Sequence, residues 1–328
     1  MQEKNHSVFS GTQYDAIIIG GGPAGLSAAI YLARAKLHVL VIEKGTLGGQ
    51  IALTSEVKNY PGVDNISGAA LAETMRRQAE SFGAEFLSAE ASQLHLDTDI
   101  KTVHTTSGDY HCRAVLLATG ARPRTVGFLG ETEYTGRGVS YCATCDGQFF
   151  KGKELFVVGG SYSAAEESVF LTRFARHVTV LIRRDDFTCA ESVAERTKNH
   201  EKITVLPHTV LDEVSGENGL QYIRYHNTLT GLVTEHRTEK GDSFGVFVFA
   251  GYMPDSALAQ DHTTLDEKGY IIVSDAQETE QAGLFAAGDV CRKRLRQVIT
   301  AAADGAVAAA EMETYLSGSE RKNTPARP

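Results

Sequence analysis

Twice in this chain a short apolar run ends in a glycine-rich loop that opens a helix, and this repeat constrains the fold more than any other feature. Asp15-Ala-Ile-Ile-Ile19 leads into Gly20-Gly-Gly22-Pro-Ala24-Gly25, and Glu154-Leu-Phe-Val-Val158 leads into Gly159-Gly-Ser161-Tyr-Ser163-Ala164. The order around each loop also repeats. A helical stretch from Pro23 to about Lys36 precedes a strand at Leu37 to Ile42; a second from Ser163 to about Phe174 precedes a strand at His177 to Ile182. Each half continues into a β-meander, Gln93 to His111 around Ser107-Gly108-Asp109, and Leu211 to Arg237 with turns at Gly216 to Gly219 and Thr230-Gly231. Each meander gives way to a buried strand ending in glycine, Ala114 to Gly120 and Phe244 to Gly251. The tail, with Gly283-Leu-Phe-Ala-Ala-Gly288-Asp289 and an alanine-rich helix from about Gln297 to Leu316, has no equivalent before residue 125. It is therefore placed back on the first domain. The expectation is an α/β protein of two Rossmann-like three-layer nucleotide-binding domains, the second (126–250) inserted in the first (1–125 and 251–328). Two crossings, near 121–126 and 249–254, predict a hinge about which the inserted domain swings.

Length and charge agree with this plan. A chain of 328 residues, 42% hydrophobic and 22% charged, is ordinary for two globular domains. A net charge of −9 argues against a broad nucleic-acid face and against attraction to anionic membranes. Met1 to Ser7 is polar, unlike a signal peptide, and the most apolar run, Ala16 to Ala33, is broken near its start by Gly20-Gly21-Gly22 and Pro23. It reads as strand, turn and helix rather than a membrane span. Five cysteines, an odd number, do not suggest a secreted disulfide framework, so a cytoplasmic location is expected.

Between the two loops sits Tyr141-Cys142-Ala-Thr-Cys145-Asp146-Gly147. A dithiol between two nucleotide sites is the layout of an electron relay. Zinc is the alternative use of Cys-x-x-Cys, but it needs four ligands at a structural site. No second Cys-x-x-Cys or His-x-x-x-His pair supplies them, and the eleven histidines form no ligand-like cluster, so no metal is expected. Asp146 is a candidate proton donor to a departing thiolate, provided partial burial raises its pKa; otherwise it is a turn residue before Gly147. Cys112 and Cys291 flank buried strands and read as structural, and Cys189 has no neighbour at disulfide or metal spacing.

In the first loop Gly20 makes the tight turn, Gly22 lets backbone approach a pyrophosphate, and Gly25, after Ala24, permits close helix–strand packing. Glu43 ends the second strand, where a carboxylate accepts from ribose hydroxyls. The tail favours FAD over NAD. Asp289, following Gly288 at a strand end, can reach a ribityl hydroxyl, and Arg296-Gln297 opens the last helix, whose amides can face the N1 and O2 edge of a flavin. The plain alternative is a strand, turn and helix with solvated acids.

From about Tyr14 to Leu316 the chain resembles the bacterial-type (low molecular weight) thioredoxin reductases. The resemblance rests on Gly20 to Gly25, Gly48-Gly49-Gln50, Asn59-Tyr-Pro-Gly62, Ala118-Thr119-Gly120, Cys142 to Gly147, Gly288-Asp289 and Arg296-Gln297. It implies an FAD-dependent homodimer whose dithiol reduces thioredoxin or a similar small protein, with Gly48 to Gln50, Asn59, Asp289 and Gln297 among the residues lining FAD. It also implies that Cys145 faces the flavin and Cys142 attacks the partner. Arg137, before the cysteines, is a candidate partner contact or simply an exposed arginine.

The second loop departs from the family pattern. Gly-x-Gly-x-x-Ala reads Gly159-x-Ser161-x-x-Ala164, and the family's His-Arg-Arg with a further arginine four residues after the second reads Ile182-Arg183-Arg184 with Thr188. Arg183 and Arg184, with Gly159 and Ser163 of the loop, are candidate contacts to NADPH, since arginine pairs with a 2′-phosphate. The competing expectation is a reductase fed by ferredoxin or another reduced carrier. A flavin-bound redox sensor without turnover is a third, and the Cys-x-x-Cys-Asp run argues against it.

Overall fold

The computed structural model describes residues 13–54, 56–239 and 241–323; the polar stretch Met1 to Ser7 lies outside them. Its contacts divide the chain into two compact units, one of residues up to Arg122 together with those from Met253, the other Pro123–Tyr252. The chain passes between units twice, at 122–123 and 252–253, against the expected domain limits of 125/126 and 250/251.

In the first unit the strands Glu85–Ser88, Val39–Glu43, Gln13–Ile19 and Gly108–Leu117 lie side by side and parallel. Lys101–Thr105 and Ala91–His95 extend the sheet antiparallel, and Leu284–Ala286 pairs parallel with the end of Gly108–Leu117. The inner parallel strands Val39–Glu43 and Gln13–Ile19 are apolar on both faces because both are covered. Ala16, Ile18, Ala114 and Leu116 point to one core with Ala28, Leu32, Ala308 and Met312. Ile17, Ile19, Val115 and Leu117 alternate to the other, with Leu94, Val103, Ala259 and Ile271. The helices Pro23–Arg34 and Val298–Asn323 cover the first face. They approach closely because Gly305 has no side chain: a Cβ there would lie 2.0 Å from the carbonyl oxygen of Ala24.

The strand Gly108–Leu117 corrects the sequence expectation of a meander end followed by a separate strand at Ala114. It is one continuous strand of 10 residues, half-exposed at its start and fully buried from Ala114 onward.

The second unit repeats the plan. Ile203–Leu206, His177–Leu181, Glu154–Val158, Gly245–Val248 and Val139–Ser140 form a parallel sheet. Thr209–Ser215, Tyr222–Asn227 and Val233–Arg237 form an antiparallel meander. Leu155, Val157 and Phe247 face the helices Tyr162–Leu171 and Glu191–Lys198, while Phe156, Val246 and Val248 face the meander through Leu211 and Ile223. The architecture is α/β throughout, with two Rossmann-like units. No helix among the described residues is long and apolar enough to cross a membrane.

Candidate functional site

The dithiol lies at the start of a single helical turn, Ala143–Asp146, directly after the strand Val139–Ser140. Cys142 and Cys145 are joined as a disulfide with Cα atoms 5.3 Å apart. Cys142 is also the N-cap of the turn, its sulfur accepting from the Cys145 amide at 3.2 Å. The backbone thus holds the two sulfurs together before any partner arrives.

Asp146 closes the same turn. Its carboxyl pKa is raised above the ordinary aspartate value, first by burial; a hydrogen bond from Ser140 acts in the opposite direction. The Ser140 hydroxyl donates to Asp146 Oδ2 at 2.6 Å and accepts from the Cys142 amide at 3.1 Å. Tyr141, between them, is pinned at both ends. Its hydroxyl donates to Glu131 Oε1 at 2.9 Å, and its carbonyl accepts from the Tyr252 hydroxyl at 3.1 Å. Glu131 is itself buried, anchored by the amides of Val126 and Gly127 at 3.0 and 2.6 Å. Ser140, Tyr141 and Glu131 went unread in the sequence, where no spacing rule links them to the cysteines. Arg137 is exposed and lies over the Tyr134 ring at 5.8 Å.

In the first unit the glycine loop has the geometry its spacing requires. Gly20 has φ 112°, and a Cβ there would stand 2.3 Å from the Ala118 carbonyl oxygen; one on Gly25 would stand 1.9 Å from the Gly20 oxygen. Gly22 is the N-cap of Pro23–Arg34 without any side-chain cap, so its amide-rich turn stays open to a ligand. Ala24, behind it, packs under Gly288. Glu43 ends its strand with Oε2 accepting from the Gly21 amide at 2.8 Å and Oε1 from Gly45 at 2.7 Å. A cleft of about 360 Å³ runs beside it, lined among others by Gly20, Thr119, Asp255 and His262.

Of the remaining first-unit candidates, Gly48 and Gly49 lie against this loop, and the others bond elsewhere in the unit. Gly48 donates to the Gly21 carbonyl at 2.8 Å, which lays Gly49 against Gly22. Gln50 donates to the Ala121 carbonyl, Thr119 to the Asp255 carbonyl at 2.5 Å, and Gly120 accepts from the Asp255 amide at 2.9 Å. Asn59 Nδ2 donates to Gln297 Oε1 at 3.0 Å. Arg296 lies over the Tyr270 ring at 4.1 Å. Arg296 and Gln297 stand immediately before the last helix, which starts at Val298.

Asp289 tests whether a dinucleotide fits. Its Oδ1 is buried without a hydrogen-bond partner among the described residues, and burial raises its carboxyl pKa, with Lys293 and Arg296 pulling it back. A buried acceptor left idle is costly, and a ligand hydroxyl would satisfy it. Open amides at Gly22, the Glu43 carboxylate and this acceptor suit a ligand with both phosphates and hydroxyls. Asp304 belongs here too and was not read from the sequence: its Oδ2 accepts from the Gly288 amide at 3.1 Å and pairs with Lys293.

The second loop is arranged differently. Gly159 follows its strand directly, its amide bonded to the Leu181 carbonyl at 3.1 Å. Ser161, where the first loop has Gly22, is extended (φ −86°), and its hydroxyl accepts from the Ala164 amide at 3.4 Å. The helix N-terminus is therefore capped by the chain's own side chain. Thr188 bonds the same loop through its amide and its hydroxyl, both to the Gly160 carbonyl, at 2.7 and 3.1 Å. Ile182 is buried in the core and crowds Gly160. Ser163, Arg183 and Arg184 are exposed.

The other cysteines behave as apolar residues. Burial pushes the thiols of Cys112 and Cys291 up to about 12, and Cys189 is half-buried. No group of three metal-ligating side chains occurs among the described residues.

Comparison with known proteins agrees with these features. Residues 14–305 match the pyridine nucleotide-disulphide oxidoreductase family. The chain is 46% identical over 305 residues to a thioredoxin reductase of Peptoclostridium acidaminophilum, covering 92% of this chain and 97% of that one. It is 44% identical over 304 residues to the thioredoxin reductase of Bacillus subtilis (strain 168), at 92% and 95% coverage. Among solved structures, the thioredoxin reductase of Streptococcus pyogenes MGAS5005 superposes with a TM-score of 0.87 at 41% identity, covering 94% of this chain and all of that one.

Proposed function

The chain belongs to the pyridine nucleotide-disulphide oxidoreductase family, standing with the thioredoxin reductases, and from that premise we propose how it works. The unit of residues 13–122 and 253–323 holds FAD, and the Cys142–Cys145 pair reduces the disulfide of a thioredoxin or a similar small protein. The observation that carries this reading is the Cys142–Cys145 disulfide with the half-buried Asp146 carboxyl one residue on.

Glu43, Asp289, Asn59 and Gln297, with the open turn at Gly22, would hold the cofactor. Bound there, FAD supplies two-electron redox chemistry. The chain's own residues perform thiol exchange. In the reduced pair, Cys142 loses its proton to solvent and attacks the partner disulfide, whose S–S bond breaks as a mixed disulfide forms. The leaving partner thiolate takes a proton from Asp146, whose raised pKa keeps that proton available. Cys145 passes its proton to Asp146, displaces the partner's second sulfur and closes the disulfide, and that sulfur is protonated by solvent. The partner gains two electrons and two protons.

The reading includes NADPH as donor through Arg183 and Arg184, and assembly as a homodimer. The cap at Ser161 and the bonds from Thr188 to the Gly160 carbonyl favour a second reading of the donor alone, in which ferredoxin or another reduced carrier feeds the flavin. Anaerobic mixing with NADPH, NADH and reduced ferredoxin separates the two: flavin bleaching by NADPH supports the first, bleaching by ferredoxin alone the second. Serine at both Cys142 and Cys145 is expected to abolish reduction of oxidised thioredoxin; undiminished activity would sink the dithiol role. Sedimentation of the purified protein tests the dimer.

A further inference from the structure

We propose that Ser140 is a positioning residue of the dithiol site, its single hydroxyl tying the Asp146 carboxyl to the backbone of Cys142 so that acid and nucleophile are held in register. The proposal rests on the reading of Asp146 as the proton donor. Three observations carry it. Ser140 is 5% exposed, so water does not compete for its hydroxyl. The hydroxyl uses both its functions at once, donating to Asp146 Oδ2 at 2.6 Å and accepting from the Cys142 amide at 3.1 Å. Ser140 also ends a buried strand, Val139–Ser140, whose backbone is fixed by pairing with Val246 and Phe247. The acid is thus referenced to the rigid sheet rather than to the short turn that carries it.

The chemistry requires such a reference. As a partner's S–S bond breaks, the proton on Asp146 must move to the leaving sulfur, which the Cys142 sulfur itself places. A carboxyl free to rotate would be misaligned for most of its time, and misplacement of about 1 Å is costly in proton transfer. The bond from Ser140 leaves the other carboxyl oxygen to carry the proton.

It also tunes the acid. Burial raises the Asp146 pKa, and the Ser140 bond, which favours the ionised form, lowers it. The helix Tyr162–Leu171 packed against this turn carries Glu166 and Glu167, and neither acts on Asp146: burial and Ser140 are the causes of its shift. Removing the hydroxyl therefore raises the pKa further, and the acid stays protonated to higher pH.

The test uses purified flavoprotein reduced with dithiothreitol, freed of excess reagent and mixed with oxidised thioredoxin across pH 5–10 in single turnover. For Ser140→Ala the expected result is a rate lower by about tenfold, with the alkaline limb displaced upward by about one unit, from loss of one hydrogen bond to a charged group. Ser140→Gly deletes the same hydroxyl and is expected to move the limb in the same direction. Infrared titration of the Asp146 carboxyl band, identified by its loss in Asp146→Asn, gives the same shift without turnover. A lowered rate with an unmoved limb and an unmoved carboxyl midpoint means that Ser140 merely packs, and overturns the proposal. If Asp146→Asn itself retains the wild-type alkaline limb, the donor reading fails and the proposal falls with it; if Asp146→Asn loses the limb and the serine variants keep it, the proposal alone fails.

Discussion

Asn59 Nδ2 donates to Gln297 Oε1 at 3.0 Å, joining residues 238 positions apart in the chain. The bond fixes the loop after Lys58 against the start of the last helix. Asn59→Ala is expected to weaken FAD retention by about 0.5–1.5 kcal/mol, roughly threefold to tenfold in Kd, read from flavin release on dilution. Flavin retention equal to wild type would remove Asn59 from the cofactor site.

Asp289 carries opposite expectations for the empty and the filled site. Its idle buried oxygen costs the fold while nothing satisfies it, so Asp289→Asn is expected to leave the cofactor-free protein at least as stable as wild type. FAD binding is expected to fall by about 1–3 kcal/mol. The sign with pH follows from its raised pKa. The neutral carboxyl is favoured in the fold, so its contribution to stability is full below the ordinary value of 3.8 and is lost as pH rises through the folded-state value. Thermal melts of the cofactor-free protein upward from pH 4 should decline less steeply for the asparagine variant.

Asp146 is expected to govern exchange rather than folding. Asp146→Asn should slow single-turnover reduction of thioredoxin by roughly hundredfold at neutral pH, the scale of general acid catalysis, while the Cys142–Cys145 disulfide still forms. Because the acid acts when protonated, the wild-type rate should fall as pH rises through its raised pKa, and this limb should vanish in the variant.

The two glycine loops predict different outcomes for single exchanges. Gly25→Ala forces a Cβ to within 1.9 Å of the Gly20 oxygen and should cost about 3 kcal/mol, seen as a lowered Tm and poor flavin content. Ser161→Gly should cost only about a few tenths of a kcal/mol, yet it frees the Ala164 amide. Bleaching of the flavin by NADPH is expected to be about tenfold more sensitive to low donor concentration in that variant. No change would mean that the serine cap does not limit donor binding.

Local signals were the readable part of this chain. The strands that feed Gly20 and Gly159 and the helices they open are specified within a few residues. The strand Gly108–Leu117 was divided in two because its first half is partly exposed and its second is buried on both faces, so one element carries two patterns. The helices Gly68–Ser81 and Glu191–Lys198 were missed: they are mostly polar and bury little beyond Leu71, Ala72, Met75 and Ala79 in one and Ala194 and Thr197 in the other. Around the sites, Cys142, Cys145 and Asp146 declare themselves by spacing. Ser140, Glu131 and Asp304 do not, because each acts through a partner that only folding supplies, whether a hydroxyl on a strand end or an amide 16 residues away.

The thiols of Cys112 and Cys291 remain protonated up to about 12 inside the first unit. An alkylating reagent applied to the reduced protein near neutral pH therefore finds only the redox pair and the half-buried Cys189. Mass spectrometry of the labelled chain then counts how many molecules have their working sulfurs open, with no spectroscopic probe and no added mutation.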